Sequence, residues 1–284
     1  MKPTIRFALN RICGSRMPFV AFAAMAQRLG VDAIELRNDL SAVELRDGTP
    51  PGTIASIASD HGLHIHAINA LQEFDQLTAS RQSETGALAR YAAEVGAQAL
   101  VLCATNNRHD SRDPSQRHDD LVHALHGLQP VLSGHGLIGL IEPLGFGESA
   151  VRRKCQAQRA IGAIGARAPF ALVHDTFHHC VASDRDFFPQ STGLVHVSGV
   201  EDTELATAQM RDPHRQLVGP QDRLGNVAQL RTLLDGRYAG YFSFEPFADA
   251  IITAPDIEHR LRASMAYLSA AIEASTGTDV NSVR

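Results

Sequence analysis

The stretch GLIGLIEP (136–143) reads as a short apolar strand that closes on a single carboxylate, Glu142. Three later stretches repeat the form. FALVHDT (170–176) delivers Asp175, GLVHVSG (193–199) carries His196, and YFSFEP (241–246) delivers Glu245. Each run is apolar and offers one hard ligand at or near its C-terminal end. The C-terminal ends of strands in a parallel barrel gather on one rim, where active sites are built. Three carboxylates and one imidazole supplied in this way describe a divalent-cation site on that rim.

Outward from these runs, strand-like and helix-like segments alternate along the chain. IRFAL (5–9), DAIELR (32–37), LHIHAIN (63–69) and QALVLCA (98–104) read as four earlier strands. Between them lie PFVAFAAMAQRLG (18–30), closing on Gly30, the Pro-started TPPGTIASIASDHG (49–62), and TASRQSETGALARYAAEVG (78–96), all with helical spacing. The stretch 115–136 is helical with a kink expected at Pro130, and further helices are expected at 152–165, around 226–236 and at 257–275. Eight strands alternating with helices call for parallel pairing, because each parallel pair needs a crossover. No GxGxxG follows the first strand, which removes the best marker of an open dinucleotide-binding sheet. The expectation is therefore a single (β/α)8 TIM-barrel domain over 1–284, with a frayed polar tail from about 276. The charged irregular stretch 199–225 is expected to lie over the active rim as a lid or substrate loop.

Composition narrows the classes of function. The chain has 284 residues, 44% of them hydrophobic and 20% charged, as is ordinary for a globular protein. A net charge of −5 without a Lys/Arg run argues against nucleic acid or an anionic membrane as partner. Cys13, Cys103, Cys155 and Cys180 show no metal-finger spacing and are expected as free thiols. The start MKPTIRFALN lacks the apolar core of a secretion signal, and no apolar stretch reaches the length of a membrane span. A soluble, cytoplasmic protein is the expectation.

An oxygen-rich set of Glu142, Asp175, His196 and Glu245 suits Mn²⁺, Mg²⁺ or Co²⁺ and can also hold Zn²⁺, with Mn²⁺ expected first. Three negative ligands overcompensate the ion by about one charge, which suits a neutral polyol or ketone better than an anion. Taken singly, each residue has a plainer use: a strand-end acid often caps a helix or pairs with a base, and a strand histidine often sits satisfied in a core. Four converging polar groups without a cation would be costly, and that favours the joint reading. His178 lies three residues after Asp175, so a helical turn there makes the two neighbours. It is expected to contact substrate or a second metal, while His179 faces elsewhere. Glu35, Arg37, Asn10 and Asn69 belong to early strand ends and are expected to read substrate hydroxyls.

IEPLG around Glu142, HDTFHH from His174, VHVSGVED around His196 and FSFEPF around Glu245 resemble the xylose-isomerase-like TIM barrels of the sugar isomerase/epimerase group. FALN, DAIELRND, LIEPLGF and the segment DPHR to DRLGNVAQL narrow the resemblance to its inosose isomerases, and the similarity spans nearly the whole chain. The resemblance implies one divalent metal on Glu142, Asp175, His196 and Glu245, with His178 and Arg215 contacting substrate. It also implies a keto–hydroxy shift on 2-keto-myo-inositol through an enediol(ate), in inositol catabolism, with Glu142 and Glu245 as candidate acid/base groups. The partner is then a small cyclitol or sugar; a homodimer is compatible. The chain departs from the pattern after Arg215, where Gln-Leu-Val-Gly-Pro-Gln replaces an order with Pro before Gly.

Two other enzymes share parts of the pattern. A ketose 3-epimerase would use the same metal and both glutamates. A multi-zinc endonuclease is echoed by Asp175 with His178 and by Asp212 with His214, but strands three and four end in Asn69 and Cys103-Ala104 where that class needs histidines. A purely structural barrel would need an apolar plug at the rim, against the polar strand ends.

Overall fold

The computed structural model describes residues 5–276 apart from Ala42 and Ala166. Eight strands close into a barrel in sequence order: β1 (Arg6–Asn10), β2 (Ala33–Arg37), β3 (His64–Gln72), β4 (Ala99–Cys103), β5 (Ile138–Glu142), β6 (Phe170–Asp175), β7 (Thr192–Val197) and β8 (Tyr241–Phe244). All pairs are parallel, from β1 with β2 round to β8 with β1. The expected TIM barrel is the fold observed. The expected polar tail lies outside the described residues.

Side-chain alternation explains why the ligands come last in each strand. Outward positions such as Leu36, Leu102, Ile141, Leu172, Val195 and Phe242 pack against the helices as the main core. Inward positions start small or apolar, with Ala8, Ala33, Ala67, Ala99, Leu140, Val173, Leu194 and Tyr241 filling the barrel. Two residues further along, the inward position turns polar in every strand but β4, which keeps Val101: Asn10, Glu35, Asn69, Glu142, Asp175, His196 and Ser243, all buried. Apolar filling at the bottom and polar groups at the top thus follow from one period-two pattern. Gly193 serves the filling, because a Cβ there would meet the Leu140 side chain at 2.6 Å.

The helices between strands are α1 (Phe19–Leu29), α2 (Pro51–Asp60), α3 (Ala79–Val95), α4 (Pro114–Gly134), α5 (Lys154–Ile164), α6 (Thr176–Val181), α7 (Asn226–Asp235), α8 (Asp249–Ile252) and α9 (Ile257–Thr276). Gly30 and Gly96 end α1 and α3 at φ +76° and +77°, where a side chain would be strained. α4 begins on a capping box between Asp113 and Gln116 and continues through the exposed Pro130, where the carbonyl freed by the missing N–H can reach water. β3 runs three residues beyond its expected end, carrying Asn69 and Gln72 to the rim.

The segment from Gly199 to Gly225 is held down rather than loose. Val200, Met210 and Leu224 bury themselves against Phe146, Phe177 and Val181. Gly199 and Gln216 exchange both main-chain hydrogen bonds, at 2.8 and 2.7 Å.

Candidate metal centre

β5 ends on Glu142, Glu245 directly follows β8, and β6 and β7 bring Asp175 and His196 side by side in register. One donor atom from each of these four residues lies within 4.8 Å of the others, and all four residues are buried. His196 Nδ1 stands 2.8 Å from Glu142 Oε1, 3.2 Å from Glu245 Oε2 and 3.9 Å from Asp175 Oδ2.

Asp175 has two uses. Its Oδ1 accepts the His178 N–H at 2.8 Å and so caps α6, while Oδ2 faces the centre. The helical turn does make His178 a neighbour of Asp175, and the His178 ring lies edge-on against Phe146 and Phe177 beside the cavity. Its Nδ1 is buried and has no hydrogen-bond partner among the described residues. Gly145 permits this approach, because a Cβ there would collide with the His178 main-chain carbonyl. His179 turns away, its Nδ1 2.7 Å from the buried Lys154 Nζ.

Glu35 differs from expectation. It is fully buried, is absent from the cavity wall, and reaches the underside of His196 with Oε2 3.2 Å from Nε2. Asn69 Nδ2 donates to the same oxygen at 2.6 Å and the Ser243 hydroxyl donates to Oε1. Glu35 is therefore placed to hold the imidazole, with its oxygens committed inside the barrel, rather than to read hydroxyls. Asn10 is likewise buried away from the cavity and donates to Glu245 Oε1 at 3.2 Å.

Two arginines straddle Glu245. Arg37 Nη1 donates to Oε1 at 2.7 Å, and Arg215 Nη2 donates to Oε2 at 2.9 Å and to Asp175 Oδ2 at 2.6 Å. Both guanidinium groups rest on the Phe247 ring, 5.0 and 4.7 Å from its centre. Outer acids hold each arginine in turn: Asp39 grips Arg37 with both oxygens, and Asp212 reaches Arg215 at 3.2 Å. Arg215 thus enters the centre despite the altered sequence that follows it. Phe247, Asp39 and Cys103, whose Sγ donates to Glu142 Oε2 at 3.4 Å, were not singled out from the sequence. The only signals were their nearness to Glu245 and Arg37 and the register pairing of Cys103 with Glu142.

A cavity of about 250 Å³ opens over the centre, lined by Arg37, Asn69, Glu142, His178, Arg215, Glu245 and neighbours from β3, β4 and the rim loops. A larger hollow of about 440 Å³ between α4 and α5 has no carboxylate and shares no residue with the centre.

The donor set fits a divalent cation. A neutral imidazole has one N–H, yet His196 faces carboxylates at both ring nitrogens. Glu35 can take the N–H on Nε2, which leaves the Nδ1 lone pair aimed at three acids, an arrangement that a cation among them resolves. Glu35, Glu142, Asp175 and Glu245 carry four negative charges against two on Arg37 and Arg215, so a dication would make the buried group neutral. The single excess negative charge expected from the ligands alone is corrected by the arginines and Glu35.

Without a cation the electrostatics are strained. Burial raises Glu245 to about 7, with Glu142 adding to that push against His196 and the arginines. Burial also works on Glu142 and Glu35, but His196 outweighs it and holds both near 2. His196 is in turn driven well above its usual range, because the surrounding acids overcome its burial. The metal-free group retains protons where a cation would sit.

The model for the xylose isomerase-like TIM barrel matches residues 23–271, and the chain belongs to that family. A xylose isomerase domain-containing protein from Salmonella typhimurium LT2 is 32% identical, with 94% of this chain and 99% of that one covered at a TM-score of 0.87. An IolI protein solved with a bound zinc atom superposes at 0.84 with 16% identity, over 95% and 99% of the two chains. An L-ribulose 3-epimerase superposes at 0.72 with 16% identity, over 99% of each. No curated protein sequence is a significant match. Among the described residues, no helix is long and apolar enough to cross a membrane.

Proposed function

We propose that the protein is a metal-dependent keto–hydroxy isomerase that moves the ketone of 2-keto-myo-inositol to the adjacent carbon. The observation that carries this reading is the buried quartet Glu142, Asp175, His196 and Glu245 opening into a cavity of about 250 Å³ with carboxylates, arginines and amides on its wall. The cyclitol substrate rests on the sequence resemblance carried by FALN, ELRND, LIEPLGF and VHDTFHH, and a role in inositol catabolism in the cytoplasm follows from it. The zinc described for the IolI protein supports a metal in the same fold.

Glu142, Asp175, His196 and Glu245 would hold the ion, with Mn²⁺ as the first candidate. When bound, it supplies Lewis acidity to the substrate carbonyl and the neighbouring hydroxyl. The chain's own groups perform the rest. A glutamate bordering the cavity removes the proton from the carbinol carbon, and the C–H electron pair becomes the double bond of an enediolate. The same proton equivalent returns to the former carbonyl carbon while the hydroxyl proton passes between the two oxygens. His178, at the cavity wall, is placed to steady an oxygen or pass that proton. Arg37 and Arg215 hold Glu245 in position, and Phe146 and Phe247 narrow the access of water.

The experiment is a proton-exchange assay in D₂O with Mn²⁺, followed by NMR, on 2-keto-myo-inositol beside a ketohexose. Isomerised inosose is expected, with deuterium at carbon to the extent that the protonated glutamate exchanges with solvent before returning its proton. No exchange and no product with the inosose would refute the reading. A ketose 3-epimerase is the second reading, favoured by the presence of two glutamates on one cavity; turnover of the ketohexose alone would select it.

A further inference from the structure

Glu142 and Glu245 enter the cavity from strands on either side of Asp175 and His196, but they are not equivalent. Both oxygens of Glu245 are occupied by N–H donors: Oε1 by Arg37 at 2.7 Å and Asn10 at 3.2 Å, Oε2 by Arg215 at 2.9 Å. Among the described residues no arginine hydrogen-bonds to Glu142. Its Oε1 meets His196, and among the described residues Oε2 has only the Cys103 thiol, at 3.4 Å. A thiol is a weak donor, whereas a guanidinium bond to a carboxylate is charge-assisted and strong. For Glu245 to take or give a proton at Oε1, it must first give up Arg37. Asp39 makes that harder by gripping Arg37 through Nε and Nη2 at 2.8 and 2.6 Å.

The distinction bears on reaction type. Moving a ketone to its neighbour needs one group that lifts a proton from one carbon and sets it on the next, on the same face. Inverting a carbon needs two groups, one taking the proton from the first face and one returning a proton to the other.

We propose that Arg37 sets the reaction type: by holding Glu245 as a fixed anion, it leaves Glu142 as the one carboxylate free to carry the proton. The cavity then isomerises and does not epimerise. Arg37 is a positioning residue here and Glu142 the catalytic base. The step is balanced by transfer within the substrate: Glu142 takes the carbon-bound proton, the C–H pair forms the enediolate, and Glu142 returns the proton to the adjacent carbon as the second carbonyl forms. No oxidant or reductant is consumed. The inference rests on the isomerase reading above.

The test compares wild-type protein, Arg37→Gln, Arg37→Lys and Asp39→Asn, each with Mn²⁺ and 2-keto-myo-inositol in D₂O. Products are separated by chirality and configuration, and Mn²⁺ binding is measured by calorimetry to show that each centre is intact. Wild type should give isomer without any inososes inverted beside the carbonyl. Arg37→Gln should lose isomerisation by about tenfold to a hundredfold, as for loss of a charged hydrogen bond, and should gain inverted products. Arg37→Lys, which keeps the charge, should invert less than Arg37→Gln. Asp39→Asn should shift the same way more weakly, and it carries the test if Arg37→Gln does not fold. Isomerisation by wild type with no inversion in any variant that binds Mn²⁺ overturns the role of Arg37 and leaves the isomerase reading standing. Inversion by wild type overturns it too. An inosose untouched by wild type overturns the isomerase reading itself.

Discussion

His196 Nε2 stands 3.2 Å from Oε2 of Glu35, beneath the acids that face its other ring nitrogen. Such a carboxylate fixes which nitrogen bears the proton and turns the other towards a cation. Glu35→Gln leaves the shape unchanged but removes the charge. Divalent-metal affinity should fall about tenfold to a hundredfold, read by calorimetric titration with Mn²⁺ and Zn²⁺. Unchanged affinity would show that Glu35 serves the barrel interior alone.

Metal binding should also compete with protons. The metal-free acids keep a proton because burial, with Glu142 beside it, brings Glu245 to about 7. A cation must displace that proton and the one that the surrounding acids hold on His196, so apparent affinity should fall by more than about tenfold for each pH unit below 7 and keep rising, less steeply, above it. Titrations in two buffers of different ionisation enthalpy should show more than one proton released near pH 6, from Glu245 and His196 together. Affinity that does not vary between pH 5 and 7 would contradict this.

How much of this was legible beforehand depends on the length of the side chain. Glu142, Asp175 and His196 are read correctly as neighbours because a strand fixes where a short side chain points, and the barrel fixes which strands adjoin. Arg37 and Arg215 have long side chains that can reach any of several acids, so their joint hold on Glu245 follows only from the folded rim. The place of Glu35 is hidden from the sequence for a different reason. It lies two residues before the end of β2, one inward layer below the rim, and strand parity alone does not tell a layer that meets solvent from one roofed by His196.

Behind β6, acid should weaken the fold. Burial, assisted by the Lys154 ammonium, lowers His179 from 6.5 to about 4, and His174 is pushed down as well. Between those two values the unfolded chain binds more protons than the folded one. Stability from His179 is therefore complete above about pH 6.5, is lost as pH falls towards 4, and stops changing below that. His179→Gln should reduce the pH-dependent loss by on the order of 2–3 kcal/mol, measured by urea unfolding at pH 7, 5.5 and 4. An identical pH profile in the variant would count against a neutral His179.

Gly145 offers a mechanical check on His178. Its missing side chain lets the chain after β5 lie against the first turn of α6. Gly145→Ala must separate the two and should cost about 1–3 kcal/mol. For a chain of this size that is a fall of several degrees in Tm. Turnover should drop further than stability explains, because the same displacement moves His178 at the cavity wall.

Arg215 belongs to the segment with the longest irregular course, yet its guanidinium is 2% exposed and bridges Asp175 to Glu245. Its carbonyl also accepts the Phe247 and Ala248 N–H groups at 2.9 and 2.8 Å, tying the same residue to the chain leaving β8. Peeling that segment back would leave two buried acids facing each other, with Arg37 still on Glu245 and the Asp175–Glu245 bridge gone. The rim loop and the charged floor beneath it therefore open together or not at all: what looks like a flap is a keystone.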